Sequence, residues 1–153
     1  MKKIYFVGIL CLMVLTIDAQ EFVDLGLPSG TKWKDMNEIE LYNYNAALVE
    51  FSGSLPTFEQ FEELKDSCKW EWTGNGYKVT GVNGNSIFLP TTSIRNCNGD
   101  WLDSVVGLYA GSYWSASSLG TRQAWILGFT TTGGTMGKAE RCCYRAVRLV
   151  QKK

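Results

Sequence analysis

The stretch that decides the fold runs from Tyr109 to Val150 and reads YAGSYWSASSLGTRQAWILGFTTTGGTMGKAERCCYRAVRLV. Aromatic and apolar residues alternate with polar ones between turns of Gly, Ser and Thr, a pattern typical of a half-buried sheet. We expect one strand to begin at Trp114 to Ala116 and a second to run from Ala124 to Phe129. Gly133-Gly134 is expected to turn the chain into a third strand. The stretch therefore predicts a sheet scaffold that displays loops.

The last part of this stretch, from Tyr144 to Val150, also alternates along its length. Neighbouring side chains on a strand point to opposite faces, so Val147 and Leu149 share one face. We expect that face to be buried and the arginines of this segment to be left free.

Two segments upstream carry helix signals. Asn37 is predicted to cap a first helix that reaches about Phe51, with Glu40 at the reciprocal position of a capping box. Apolar residues in this segment recur every three or four positions, which predicts one buried face. They are Ile39, Tyr42, Ala46 and Val49.

The second helix is more clearly marked. Thr57 follows Pro56 and stands three residues before Gln60, which is again the spacing of a capping box. Phe61, Leu64 and Cys68 then recur at helical spacing. We expect these three side chains to form the buried face of the helix.

Short strands are predicted before and after the helices. The segment from Glu21 to Trp33 breaks at Pro28-Ser29-Gly30, which indicates a strand, a turn and a second strand. From Trp70 to Leu89 the hydrophobic period becomes two, with turns at Gly74-Asn75-Gly76 and Asn83-Gly84. This pattern predicts a three-stranded meander.

The segment from Thr91 to Ser112 is predicted to be a long connection, and long loops in compact domains are often functional. Four side chains that could offer oxygen ligands stand close together in it: Asn96, Asn98, Asp100 and Asp103. Two interpretations remain open for them. A calcium loop would want more carboxylates and a fuller pattern, so we favour ordinary Asx turns.

The first twenty residues contain two lysines, an apolar run from Ile4 to Ile17, and then Ala19. This order is typical of a secretory signal peptide, so we expect residues 1–19 to be cleaved and residues 20–153 to form one domain. An uncleaved anchor is the alternative, although the run is short for a membrane span. The bulky Leu10 before Cys11 argues against a lipoprotein signal. The protein is therefore predicted to be exported to the periplasm, the cell surface or the medium.

The charge balance argues against two classes of partner. The chain has 15 basic and 15 acidic residues, and cleavage would leave 13 basic against 14 acidic, a net charge of −1. No basic cluster exists beyond Lys152-Lys153. Nucleic acid and anionic membranes are therefore not expected as partners.

Four cysteines would remain after cleavage: Cys68, Cys97, Cys142 and Cys143. Export permits disulfides, and these four are the candidates for one. Cys142 and Cys143 are neighbours that would face opposite sides of a strand, so we expect Cys68 or Cys97 to bond one of them. The chain has no histidine and no C-x-x-C spacing, so neither a zinc site nor another cofactor is predicted.

Several motifs together resemble a known family. They are VDLGLPSGTKW, the LPT that begins the second helix, GYKVTG-x-NGNSIFLP in the meander, and YWSASS and CYRAVRLV near the end. On these motifs the chain resembles the Fibrobacter succinogenes major paralogous domain family from Phe22 to Val150. That family is abundant in secreted and surface proteins of gut Bacteroidales, and it looks related to the C-type-lectin-like fold.

The resemblance implies an α+β protein with a C-type-lectin-like fold, in which two helices pack on short, mostly antiparallel β-sheets. It also implies that the N- and C-terminal strands lie side by side, which fits the closeness of chain ends in compact domains. A fold of this kind does not by itself fix a function.

We predict a binding module that recognises a protein or a glycan through the C-terminal sheet and its loops. Arg together with Trp or Tyr dominates binding hot spots, and the turns of this sheet combine them. The predicted ligand-binding residues are Arg122, Gln123, Trp125, Thr131, Lys138, Glu140, Arg141 and Tyr144. The Glu-Pro-Asn and Trp-Asn-Asp signatures of calcium-dependent lectins are absent from the sequence, so calcium-mediated sugar binding is not expected.

Two alternatives belong to other functional classes. The first is a small structural subunit of a cell-envelope complex, and partners that co-purify with the protein would support it. The second is an enzyme like the formylglycine-generating enzymes, which need a reactive cysteine pair that Cys142-Cys143 matches only superficially. A Ser-His-Asp or Cys-His arrangement cannot form without histidine, so we do not expect an enzyme.

Overall fold

A computed structural model describes residues 21–102 and 110–152 of the protein. The predicted signal peptide, Asp103 and Tyr109 lie outside these ranges. The described residues contain two helices among mostly antiparallel strands, which confirms the α+β class. Neither of these helices has the length and apolar character needed to cross a membrane.

The elements are short and are numbered here along the chain. The helices are α1, Tyr44–Glu50, and α2, Phe58–Ser67. The strands are β1 Phe22–Asp24, β2 Lys32–Lys34, β3 Tyr42–Asn43, β4 Lys69–Trp72, β5 Gly76–Thr80, β6 Ser86–Pro90, β7 Ile94–Arg95, β8 Trp101–Leu102, β9 Gly111–Leu119, β10 Gln123–Thr130, β11 Gly133–Glu140, β12 Tyr144–Arg145 and β13 Val150–Gln151. They form four sheets with the strand orders β1-β2-β13, β3-β12-β7-β8, β4-β5-β6 and β9-β10-β11.

The first and last strands of the described chain meet in one small sheet. Trp33 in β2 lies opposite Val23 in β1 on one side and Val150 in β13 on the other. Trp33 is fully buried at this junction. The N- and C-terminal strands therefore share one sheet, but β2 lies between β1 and β13, so the expectation that they lie side by side holds for β2 and not for β1. The two strands predicted around Pro28-Ser29-Gly30 are confirmed.

Helix α2 begins where its capping box predicts. The Thr57 side chain accepts a hydrogen bond from the Gln60 backbone N–H, and the Gln60 side chain accepts one from the Thr57 N–H. Two otherwise unpaired donors of the first turn are thereby satisfied. Phe61 and Leu64 are fully buried, and burying each stabilises the fold by about 1.5–3 kcal/mol.

Helix α1 begins six residues later than the sequence pattern predicts. Asn43, and not Asn37, is its N-cap, and the Asn43 side chain accepts a hydrogen bond from the Ala46 N–H. Tyr44 and Ala47 form the buried face. The predicted buried face is wrong at Ile39, which is 98% exposed, and at Ala46 and Val49, which are also exposed.

The late start of α1 has a non-local cause. Tyr42 and Asn43 pair as β3 with β12, so their backbone groups are already used when the helix begins. The Glu38 N–H donates to the Val147 carbonyl, which also holds the preceding segment in a non-helical path. Strand pairing with residues about a hundred positions away therefore prevents the helix that the local residue spacing predicts.

The turn expected at Gly133-Gly134 lies at Thr131 and Thr132, and the two glycines are the first residues of β11. The central sheet, β9-β10-β11, otherwise contains the three predicted strands, although β9 begins at Gly111 and not at Trp114. Both of its faces are covered. One face joins a core cluster that includes Phe61, Leu64, Tyr113, Leu127 and Phe129. The other joins a second cluster that includes Tyr44, Ala47, Trp114, Ala124, Ile126 and Val147. This sheet therefore offers ligands its edges and ends, and not an open aromatic face.

The three-stranded meander is confirmed as β4-β5-β6, with Trp70 opposite Val79 and Trp72 opposite Tyr77. Its aromatic residues reach the central sheet. The Tyr77 ring packs edge-on against Trp72 at 5.2 Å and against Phe129 at 5.3 Å between centroids. Edge-to-face contacts of this kind stabilise the fold beyond the burial of apolar area, and they hold the Trp72 ring in a fixed position.

The prediction that the arginines near the C-terminus are free is wrong. Arg148 is 1% exposed, because the chain leaves the strand conformation between β12 and β13 and turns this side chain inward. Arg145 is half-buried, and one of its guanidinium nitrogens donates to the Arg95 carbonyl.

Arg148 tolerates burial because its guanidinium donates hydrogen bonds to four oxygens. It donates to the Asn37 side chain and to the backbone carbonyls of Lys34, Asp35 and Phe88. Burial lowers the pKa of Arg148 to about 10. A buried charge is costly unless it is hydrogen-bonded, and here the acceptors tie three separate segments together.

Candidate functional site

Four of the eight predicted ligand-binding residues meet at one end of the central sheet. Gln123 donates from its side chain to Glu140 at 3.0 Å, and Arg141 donates to the Gln123 carbonyl at 3.3 Å. With Arg122, two of them, Glu140 and Arg141, line a surface hollow of about 450 Å³. We call this site the polar hollow, and its lining residues are Asn43, Asn45, Thr121, Arg122, Glu140, Arg141 and Cys142.

Several groups of the polar hollow are already engaged within the fold. The Arg141 guanidinium donates to the Gly120 carbonyl at 2.8 Å and lies 4.8 Å over the Tyr44 ring. The Arg141 backbone N–H donates to the Arg122 carbonyl, which closes the end of the β10–β11 pair. The Glu140 carboxylate accepts from Gln123. Arg141 and Glu140 therefore help to build this end of the sheet.

Trp125 is not the exposed aromatic plate that the sequence predicts. It lies in β10, half-buried, with its ring packed edge-on against Phe58 of α2 at a centroid distance of 4.8 Å. The start of α2 covers the face of the sheet on which Trp125 stands. Lys138 lies directly opposite in β11 and is exposed.

The other two predicted residues lie apart from the polar hollow. Thr131 follows the far end of β10, about 26 Å from Gln123 at the usual rise of a strand. Tyr144 lies in β12 between Asn43 and Arg95. The eight predicted residues therefore do not form one binding surface.

A larger groove lies beside the meander, and the sequence analysis did not predict it. Its volume is about 600 Å³. Its described lining consists of Trp72, Thr91, Thr92, Ser93, Trp101, Leu102 and Ala110, which we call the aromatic groove. Trp101 is 58% exposed, while Trp72 is half-buried on the Tyr77 and Phe129 rings.

The side chains of the aromatic groove are held by contacts behind it. Arg95 and Trp101 lie opposite each other in the β7–β8 hairpin, and the Arg95 guanidinium sits 3.8 Å from the centre of the Trp101 ring. The Thr92 hydroxyl accepts from the Ser112 N–H at 2.9 Å, and the Thr92 N–H donates to the Ala110 carbonyl. Thr91 and Ser93 are exposed.

One feature of the sequence could have indicated the groove, namely an aromatic residue within an otherwise polar connection. Trp101 follows Asn98, Gly99 and Asp100 in the segment predicted to be a long loop. The connection in fact contains the β7–β8 hairpin, whose short strands place Trp101 opposite Arg95. Trp72 and Trp101 come from separate sheets, so no local pattern predicts that they share a groove.

Three of the four candidate calcium residues, Asn96, Asn98 and Asp100, lie at the turn of the β7–β8 hairpin. The Asn96 side-chain oxygen accepts from the N–H groups of Asn98 and Asp100 at 2.9 and 3.0 Å. The Asn96 side-chain amide donates to the Asp100 carboxylate. Gly99 adopts a φ of 86°, which its lack of a Cβ permits. These contacts are the Asx turn chemistry that the sequence analysis favoured.

Three sulfur atoms gather beside the polar hollow. Cys97 and Cys142 form a disulfide, so the expectation that Cys97 or Cys68 bonds one of the adjacent pair is confirmed with Cys97. The Cys143 sulfur lies 3.4 Å from the Cys97 sulfur. The three sulfurs lie within 4.8 Å of one another, but two of them are bonded together and cannot act as thiolate ligands.

Cys68 lies apart from this group. It is half-buried at the end of α2 and packs against the core, and burial, with Glu63 nearby, raises the pKa of its thiol to about 11. Only thiolates react readily, so Cys68 is a poorly reactive thiol near neutral pH.

Comparisons with protein-family models, with curated proteins and with solved structures find no match to this chain. The case for a function therefore rests on the residues themselves. Of the two concave surfaces, the aromatic groove combines an exposed ring, a fixed second ring and exposed hydroxyls. The polar hollow is lined by groups that are partly used within the fold.

Proposed function

We propose that the protein is an exported or surface-associated binding module that holds a glycan in the aromatic groove. The observation that carries this proposal is the exposed indole of Trp101 at a concave surface that Trp72 also lines. Large apolar side chains are rarely left exposed in a concavity without a partner, and such surfaces are typical of ligand sites.

The chemistry of the groove suits a sugar. One face of a pyranose ring presents C–H groups that pack on an indole, while its hydroxyl groups need hydrogen-bonding partners. Trp101 and Trp72 supply the apolar surface, and the exposed hydroxyls of Thr91 and Ser93 supply polar partners.

The position of Arg95 supports the same reading. Its guanidinium covers part of the Trp101 ring at 3.8 Å, which fixes the orientation of the indole before a ligand arrives. A preorganised aromatic ring loses little conformational entropy on binding. The ligand would then gain the packing contact without first ordering the side chain.

Two further features support an exported lectin-like module. The arrangement of two helices, a meander and a terminal sheet that pairs β2 with β13 agrees with what the resemblance to the Fibrobacter succinogenes paralogous domains implies. The Cys97–Cys142 disulfide agrees with export, because disulfides persist in oxidising compartments. Binding without calcium is part of the proposal, since Asn96 and Asp100 bond each other in the hairpin turn.

The test is a screen of the exported protein on glycan and protein arrays, with calcium and with a chelator. Trp101→Ala should abolish a glycan signal that does not depend on calcium. Arg122→Ala, in the polar hollow, is the matched control and should leave the signal intact. Thermal unfolding of both variants would verify that they are folded.

Two results would count against the proposal. A glycan signal that Arg122→Ala removes and Trp101→Ala leaves intact would place recognition in the polar hollow. No glycan signal, together with a protein that co-purifies from the envelope, would favour the role of a small assembly subunit.

A further inference from the structure

Two turns bring the three sulfurs together. Cys97 lies in the turn of the β7–β8 hairpin, and Cys142 and Cys143 lie in the turn between β11 and β12. Tyr144 of β12 pairs with Arg95 of β7 in antiparallel register. Two positions further along the same register, Cys142 stands opposite Cys97, which explains why these two residues form the disulfide.

The third sulfur lies close enough to contact this disulfide. The Cys143 sulfur is 3.4 Å from that of Cys97, so the two atoms are in van der Waals contact. Cys143 is half-buried, whereas Cys97 and Cys142 are exposed. Contact places the Cys143 thiol within reach of a disulfide sulfur, which is the atom that a thiolate attacks in thiol–disulfide exchange; a rotation of the Cys143 side chain would bring its sulfur into line with the Cys97–Cys142 bond.

We propose that Cys97, Cys142 and Cys143 form a thiol–disulfide exchange site. The Cys143 thiolate attacks the Cys97 sulfur, a Cys97–Cys143 bond forms, and the Cys97–Cys142 bond breaks. The bonding electron pair leaves with the Cys142 sulfur, which takes a proton from water, while the proton lost by Cys143 has gone to water. The number of disulfides is unchanged, so the step needs neither an oxidant nor a reductant.

Chain entropy does not favour one disulfide over the other. The Cys97–Cys142 bond joins residues 45 positions apart, and a Cys97–Cys143 bond would join residues 46 apart. The entropy of closing a loop depends only on the logarithm of its length, so the two loops are nearly equivalent. Both isomers are therefore accessible, and local contacts set their ratio.

A neighbouring arginine interacts with the attacking sulfur. Burial lowers the pKa of Arg145, and its interaction with the Cys143 sulfur opposes this effect. The Arg145 Nε is buried without a hydrogen-bond partner among the described residues, so this guanidinium has one N–H donor that is not used there.

The exchange changes which thiol solvent can reach. Before the step the free thiol is on the half-buried Cys143, and after it the free thiol is on the exposed Cys142. The site thus presents an accessible thiol at the rim of the polar hollow, where it can react with an external thiol-reactive group. This inference does not depend on the glycan proposal.

The test is to locate the free thiol in the exported protein. The protein is held at mildly alkaline pH, the free thiols are trapped with a maleimide, and the protein is digested with trypsin without reduction. Peptides 96–122 and 142–145 then remain joined by the disulfide. Fragmentation of the linked pair shows whether Cys142 or Cys143 carries the maleimide.

We expect the maleimide on both residues in the wild type, with Cys142 labelling growing about tenfold faster for each pH unit below the thiol pKa. Label on Cys143 alone, at every pH and time, would overturn the proposal. Cys68→Ser is the matched control and should leave the distribution unchanged, because that thiol lies in another part of the fold.

A second variant gives an independent result. In Cys142→Ser the proposal predicts that Cys97 bonds Cys143, so that neither residue reacts with the maleimide in the oxidised protein. Free Cys97 and Cys143 in this variant, after oxidation under conditions that form the wild-type disulfide, would overturn the proposal. In Cys143→Ser the Cys97–Cys142 bond should be the one disulfide and Cys142 should never be labelled.

Discussion

The aromatic groove and the polar hollow differ in what their side chains already do. In the hollow, Arg141 bonds two backbone carbonyls and covers Tyr44, and Glu140 accepts from Gln123. In the groove, Trp101 is more than half exposed although Arg95 holds its ring in place. Charged residues near a turn therefore indicate a ligand site only weakly, because their side chains can instead make the contacts that stabilise the turn.

The two surfaces are also joined by one covalent bond. Cys97 belongs to the hairpin that carries Trp101, and Cys142 lines the polar hollow. The short strands β7 and β8 have few hydrogen bonds of their own, so the disulfide restrains the hairpin at its turn. A change at this bond should affect the groove more than the core.

Loss of the disulfide should give the largest effect. Cys97→Ser removes the Cys97–Cys142 bond and also prevents a Cys97–Cys143 bond. A loop of this length predicts a loss of about 3–4 kcal/mol in the free energy of unfolding. Cys142→Ser should cost much less, because Cys143 can take its place. Denaturant unfolding of the two variants measures the difference, and equal losses would contradict the exchange of partners.

Trp101→Ala should act on binding and barely on stability. Truncating a central aromatic residue typically costs 2 kcal/mol or more, so we expect about a 30-fold weaker glycan affinity. Since Trp101 is exposed, the free energy of unfolding should change by less than about 1 kcal/mol. Calorimetric titration and denaturant unfolding together test this separation, which a large loss of stability would refute.

Arg141→Ala should show the opposite behaviour. It removes two hydrogen bonds to backbone carbonyls and a cation–π contact with Tyr44, so we expect about 1–2 kcal/mol less stability. Glycan affinity should stay within about twofold of the wild type, a change of less than roughly 0.5 kcal/mol. If the affinity falls while the protein remains folded, the hollow takes part in recognition.

Arg122→Ala should have the smallest effect. Arg122 is exposed, so both stability and glycan affinity should stay within about 0.5 kcal/mol of the wild type. The same two measurements apply, and a clear loss of affinity here would favour the ligand site predicted from the sequence.

The parts of the fold that local sequence signals determine were predictable. The capping box at Thr57 and the period-two meander each depend on residues within a few positions of one another. The start of α1 was not predictable in this way, because it depends on the pairing of β3 with β12, which lies far away in the sequence. Strand pairing at long range overrides a weak helix pattern.

The candidate site was less predictable for the same reason. Trp125 carries no local sign that Phe58 will cover it, and Arg148 is buried because carbonyls from two distant segments converge on it. The sequence did predict the hot-spot residue types, but it could not show which aromatic ring stays exposed. That property depends on how separate sheets pack, and it is what distinguishes Trp101.

The central claim is that the ligand contacts the tryptophans of the aromatic groove. The most direct measurement is a titration of the bound glycan followed by the NMR signals of the six tryptophan indole N–H groups, assigned with single Trp→Phe variants. We expect the Trp101 and Trp72 signals to shift and the Trp125 signal to stay in place. A shift of Trp125 without any shift of Trp101 would contradict the account.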